Sequence, residues 1–323
     1  MTPEYRLTLR RHYARLGLAL FVYYVVTAAA QTVVQLAVMT WAPRWAEAGW
    51  FAPALAIVPM YCVGFPLFLC LLPKAPPRSL LPEKRQVPAR ELFPLLLMCL
   101  GILYPGNLLG QGADWALRRL FGAEGGSTAL EALADGADTW SFILAAVVLG
   151  PVMEELTFRK LLLDRMRTID KPAALFFSAL AFGLFHSNPV QFFYAFGVGL
   201  LFGCIYLRTG RIGYTMILHV LINFIGSAAA LFLPTELDLA HLDTAALLEN
   251  LLPVLGLGVY ALAVLAGSVA GIVLLIRHRR SLRVADGADL LRSDSRFSLV
   301  FCSPGWLLYC LAVLAVMVLS YLV

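Results

Sequence analysis

The sequence predicts an all-α, polytopic membrane helical bundle of about nine transmembrane helices, with eight as the alternative count. Three observations predict it. Of the 323 residues, 60% are hydrophobic and 14% charged, against roughly 45–50% and about 25% in soluble domains. The apolar residues gather into recurrent stretches, and roughly 20 of them in a helix cross a hydrocarbon core of about 30 Å. Stretches such as 251–276 are apolar on both parities, unlike the alternating strands of a transmembrane barrel. In lipid a helix satisfies its own backbone hydrogen bonds. The same figures exclude a soluble globular enzyme, a disordered chain and a disulfide scaffold.

Nine spans are expected, at 17–39, 51–73, 91–112, 139–163, 172–187, 190–207, 212–233, 251–276 and 301–323. Ahead of the first lies a basic tail, 1–16. Tail and apolar run, ending near Ala28-Ala29-Ala30, resemble a cleavable signal peptide. The run nevertheless continues to Val38 and the basic segment is long, so an uncleaved first helix is expected. The fifth and sixth spans are short and break at Ser187-Asn188-Pro189. Asn or Ser there can cap the sixth helix, with Pro in its first turn. The expected organisation is the tail 1–16, N-terminal membrane helices and outer loop 17–138, a membrane core 139–233 and C-terminal membrane helices 234–323.

Charge sorts by loop. The tail carries Arg6, Arg10, Arg11 and Arg15; the second loop Lys74, Arg78, Lys84, Arg85 and Arg90. The fourth carries Lys160, Arg165, Arg167 and Lys171; the sixth Arg208 and Arg211; the eighth Arg277, Arg279, Arg280, Arg283, Arg292 and Arg296. The third loop holds Asp114, Glu124, Glu131, Asp135 and Asp138 against Arg118 and Arg119, and its stretch 122–136 reads as a mobile outer loop. The seventh holds Glu236, Asp238, Asp243 and Glu249. By the positive-inside rule this alternation puts the N-terminus in the cytoplasm and the C-terminus outside. The net charge of +5 follows from these loops, and no basic patch interleaves with aromatics, so no nucleic-acid partner is expected. The six cysteines, Cys62, Cys70, Cys99, Cys204, Cys302 and Cys310, lie in apolar stretches at no metal-site spacing and read as buried small hydrophobes. No internal repeat, P-loop, dinucleotide fingerprint, GxSxG or HExxH is present.

The informative charges lie inside the spans. A charge in a membrane helix costs about 2.5–3.5 kcal/mol on insertion scales and marks function by default. The only well-embedded carboxylates are Glu154 and Glu155. Glu155 and Arg159 stand at i and i+4, acid first, the favourable order for a helical ion pair. Glu154 points about 100° away, so one acid can be neutralised while the other faces a different surface. His186 ends the fifth span, and His219 and Asn223 share one face of the seventh. Spans joined by short loops pack as neighbours, so these six side chains can line one polar cavity. Counting the helical rise leaves His186 about 10 Å nearer the outer side than Glu154, a gap that tilt or a longer fourth helix would close.

Their chemistry is that of a water-activating intramembrane hydrolase. A carboxylate with a histidine can activate water, a second histidine with an amide can stabilise an oxyanion, and two acids with two histidines could instead hold zinc. Two other readings stay open: a proton-coupled transporter relaying protons through Glu154, His186 and His219, and a non-catalytic immunity or binding protein that holds a hydrophobic peptide.

Glu154-Glu155-x-x-x-Arg159, Phe182-x-x-x-His186 and His219-x-x-x-Asn223, in this order on successive spans, resemble the CPBP (Abi) family, the type II CAAX prenyl proteases and their bacterial relatives. The resemblance covers roughly 139–233. It implies an intramembrane glutamic endopeptidase in a bacterial plasma membrane, acting on a membrane-associated protein or peptide, prenylated or otherwise hydrophobic. It implies Glu154 as general base with His186 helping to hold the water, Glu155 and Arg159 orienting the site, and His219 and Asn223 as the oxyanion hole. No obligatory cofactor is expected; zinc is the alternative that is not favoured.

Overall fold

The computed structural model describes residues 2–74, 84–123, 136–232, 251–282, 284 and 293–322, with side chains not described at 228–232 and 293–296. The seventh-loop acids, the stretch between 123 and 136, Arg78, Arg283, Arg292 and the Arg296 side chain therefore lie outside the described residues.

All the described regular structure is helical. The helices are α1 (Pro3–Trp41), α2 (Phe51–Leu71), α3 (Ala89–Phe121), α4 (Thr139–Arg165), α5 (Lys171–Phe185), α6 (Pro189–Thr209), α7 (Ile212–Phe232), α8 (Leu251–His278), α9 (Ser293–Val300) and α10 (Pro304–Leu319). Six of them, α1, α2, α3, α4, α6 and α8, are long and apolar enough to cross a membrane; α5, α7 and α10 are shorter apolar helices. The chain is thus an all-α polytopic membrane protein.

Helix ends follow local chemistry. Asn188 accepts from Gln191 N at 2.8 Å and Pro189 begins α6, as the break predicts. Asp170 caps α5 and Asp138 caps α4 in the same way. Several helices overrun their apolar cores. α1 begins at Pro3, inside the basic tail, and α3 runs on to Phe121. Asp114 and Arg118 are therefore helical rather than loop residues, paired at 2.7 Å. Hydropathy marks the part of a helix that suits lipid, and a helix can continue into the aqueous layer.

α4 is irregular where it matters. Its 143–149 and 156–162 segments are π-helical, and the intervening Gly150–Glu155 is α-helical. Pro151 lacks an N–H and cannot serve the preceding turn. Gly150 N–H reaches back five residues to the Ala145 carbonyl, a π-type bond of the kind that clusters at functional sites.

Packing sets the frame around this helix. One apolar core joins α1, α2, α4, α5 and α10, with Tyr23, Phe68, Phe158, Phe177 and Trp306 buried in it; a second joins α3, α6 and α7 through Cys99, Phe202 and Leu218. α10 lies along α1 where Gly17 meets Gly305 and Trp306, and α8 lies along α3 where Gly101 meets Gly271. At both crossings a Cβ would overlap the neighbouring backbone, the small-residue contact that lets membrane helices approach closely. Cys62, Cys70 and Cys302 are exposed while Cys99 and Cys204 are buried, which corrects the expectation that all six are buried. An apolar stretch identifies a membrane helix, and much of such a helix faces outward.

Candidate active site

A cavity of about 420 Å³ lies between the two cores and is lined by Glu154, His186, His219 and Asn223 together with residues of α2, α3, α6 and α8. α5 is 15 residues long, about 22 Å at helical rise. His186, at its C-terminal cap, lines the same cavity as Glu154, so the expected offset of about 10 Å does not separate them.

The two glutamates have separate surroundings. The Glu155 side chain is 0% exposed and that of Glu154 is 20% exposed. Arg159 Nη1 lies 3.1 Å from Glu155 Oε1. None of the guanidinium N–H groups finds a hydrogen-bond acceptor, so this is an ion pair by distance rather than by direction. Arg159 also lies 4.4 Å from the centre of the Phe182 ring and 5.5 Å from that of Phe202, a cation–π setting for a desolvated cation.

His219 links the two acids. Its Nδ1 is 3.0 Å from Glu155 Oε1 and its Nε2 is 3.5 Å from Glu154 Oε2. Nδ1–H donates to the buried carboxylate. In a neutral ring Nε2 would then turn a lone pair toward a second carboxylate; a proton on either group converts that repulsion into attraction.

His186 is fixed from three sides. Nδ1 donates to the Phe182 carbonyl at 3.0 Å, which leaves Nε2 as an acceptor, and Asn188 Nδ2 donates to the His186 carbonyl at 2.8 Å. Ser187 adopts a left-handed backbone, φ 56°, and shares a 2.7 Å hydrogen bond with Tyr24 OH. A positive φ at a residue with a Cβ is strained, and the Tyr24 bond helps hold it there.

Asn223 Nδ2 donates to the Ala146 carbonyl at 2.9 Å. That carbonyl has lost its helical partners, because Gly150 N–H goes to Ala145 and Pro151 has none. An amide has two N–H donors, so one remains for the cavity that Asn223 lines.

The cavity thus brings together Glu154, His186, His219 and Asn223, while Glu155 and Arg159 stand behind His219. Sequence reasoning missed Tyr61, Asn107, Gln191 and Tyr260 in the walls; Asn107 and Gln191 were visible as amides in apolar spans. Among the described residues, no three His, Cys, Asp or Glu side chains converge at metal-holding distance.

Residues 136–225 match the family model described as type II CAAX prenyl endopeptidase Rce1-like. No curated protein and no solved structure matches the chain. The match covers α4, α5, α6 and most of α7, and it includes all six candidate residues. It supports an intramembrane endopeptidase of the CAAX type in general terms.

Proposed function

Taking residues 136–225 as a core similar to the type II CAAX prenyl endopeptidases, we propose that the cavity hydrolyses a peptide bond with a water activated by Glu154. The observation that carries this reading is the split between neighbouring acids: Glu155 is ion-paired and fully buried, and Glu154 opens into the cavity beside two histidines.

The water gives one hydrogen bond to Glu154 and the other to His186 Nε2. Glu154 takes the proton as the hydroxyl attacks the scissile carbonyl. A proton on His219 Nε2 and the second N–H of Asn223 stabilise the oxyanion. Collapse of the intermediate passes the proton from Glu154 to the leaving amine, which restores the carboxylate. Glu155, itself paired with Arg159, holds the His219 ring in orientation. No metal enters these steps; a chelator should leave turnover unchanged.

The substrate is a membrane-associated protein or peptide, prenylated or otherwise hydrophobic, because the remaining cavity wall is mostly aliphatic and aromatic. The alternation of basic and acidic loops supports a bacterial plasma membrane with the N-terminus cytoplasmic and the C-terminus outside; labelling exposed Cys302 from either side tests it.

Purified wild type, Glu154→Gln and His186→Ala proteins should be compared on a membrane peptide library. Cleavage by wild type alone is the expected result, and equal cleavage by all three sinks the proposal. The row Glu154, His219, Glu155 also favours a second reading, a proton relay in a carrier. Proton flux in proteoliposomes that disappears in Glu154→Gln, without cleavage by wild type, would establish that reading instead.

A further inference from the structure

α4, α6 and α7 line a second, open cavity of about 380 Å³ toward their other ends. Tyr194 lines the first cavity and Tyr206 the second, so the two lie about 18 Å apart along α6 at helical rise. The second cavity has the opposite chemistry. Lys84, Lys160 and Arg211 line it, and among the described residues no carboxylate does.

The charge is not neutralised from behind. Among the described residues Asp164 is the acid that meets these cations, and it serves both Lys160 Nζ and Arg167 Nη2, each at 2.8 Å, as well as Tyr206 OH at 3.0 Å. One carboxylate facing two cations leaves a surplus, to which Lys84 and Arg211 add. Arg211 Nε is buried without a hydrogen-bond partner, an expensive arrangement unless an acceptor occupies the cavity. The first turn of α7 also opens here, through Ile212 and Gly213, where helix N–H groups lack intrahelical acceptors. A Cβ on Gly213 would meet nothing within 4 Å. The segment that carries Lys84 is pinned to the rim, because Arg85 N donates to the Thr209 carbonyl and Val87 N to Tyr214 OH, both at 2.9 Å.

We propose that this cavity binds a phosphate group, carried by an anionic membrane lipid or by a soluble phosphate ester. Three cations around one site outnumber what a single carboxylate would neutralise, and phosphate offers oxygens in several directions. The site is separate from the peptidase cavity and does not depend on the hydrolase reading.

The test uses the full chain in detergent. Native mass spectrometry with phosphatidylglycerol and phosphatidylcholine reads lipid preference, and a melting curve with millimolar glycerol phosphate reads the soluble ester. A wild-type preference for phosphatidylglycerol assigns the site to lipid; a glycerol phosphate shift without lipid preference assigns it to the soluble ester. In either case Lys84→Gln should weaken binding about fivefold, and Lys84→Gln with Arg211→Gln roughly 25-fold. The single variant lies outside the helices, which keeps the test open should the double variant fold poorly. The control pair Arg279→Gln with Arg280→Gln, exposed at the end of α8, should lose nothing. The proposal is overturned if wild type binds neither probe preferentially, if Lys84→Gln binds as wild type does, or if the control pair loses as much as the cavity variants.

Discussion

Two layers of the bundle meet between consecutive residues of α4. Around Glu155 everything is closed: the carboxylate, the Arg159 guanidinium and His219 Nδ1 contact one another, and Phe182 and Phe202 cover the cation. Around Glu154 the bundle is open, with the carboxylate, His186 and Asn223 facing a cavity large enough for part of a peptide. The closed layer spends its charges on one another and sets orientation. The open layer keeps its charge for a ligand. A pair of adjacent acids can take both parts because one residue of helix rotates the side chain by about 100°.

The contrast can be broken most severely from the closed side. Arg159→Met leaves Glu155 buried without its guanidinium partner, a loss of about 3–5 kcal/mol, and should show as a large fall in Tm or failure to accumulate folded protein. On the open side, His186→Ala should lower kcat about 100-fold with little change in Tm, measured on the folded fraction. Gly101→Leu overpacks the α3–α8 crossing, away from both layers. It should cost about 1–3 kcal/mol of stability and leave kcat per folded molecule unchanged.

Tyr24→Phe sharpens the comparison more gently. It removes the hydrogen bond to Ser187, worth about 1 kcal/mol. If that bond positions His186, kcat should fall about fivefold while KM stays constant; loss of stability alone would leave both constants unchanged. The smallest effect belongs to the start of α4. The Ser141 N–H and hydroxyl hold the Asp138 carboxyl below the usual carboxylate range. That cap is therefore present at pH values above the ordinary carboxylate range and fades only as pH falls through the lowered value. Asp138→Ala should give a slight fall in Tm near neutral pH and no difference from wild type in strong acid.

Much of this was legible in the sequence, because the signals were local. Hydropathy located the apolar helices, and Asn188-Pro189 located the corner between α5 and α6. The i, i+4 spacings identified Glu155 with Arg159 and placed His219 and Asn223 on one face. What sequence could not supply were contacts between helices and departures from ideal helix. The π-helical segments of α4 have no hydrophobic period of their own, and Pro151 alone does not announce them. His219 touching both glutamates depends on how α7 rotates against α4. That His186 and Glu154 line one cavity depends on how α5 packs against α4, which helical rise alone does not give. Asp164 passed unnoticed among the basic residues of its loop, although it is their shared partner.

The most direct test of the split between the two acids is a paired measurement on Glu154→Gln and Glu155→Gln, each read for Tm and for cleavage of a membrane peptide per folded molecule. Glu154→Gln should melt as wild type does and cleave nothing, whereas Glu155→Gln should melt at a clearly lower temperature. Wild-type cleavage by Glu154→Gln would contradict the account.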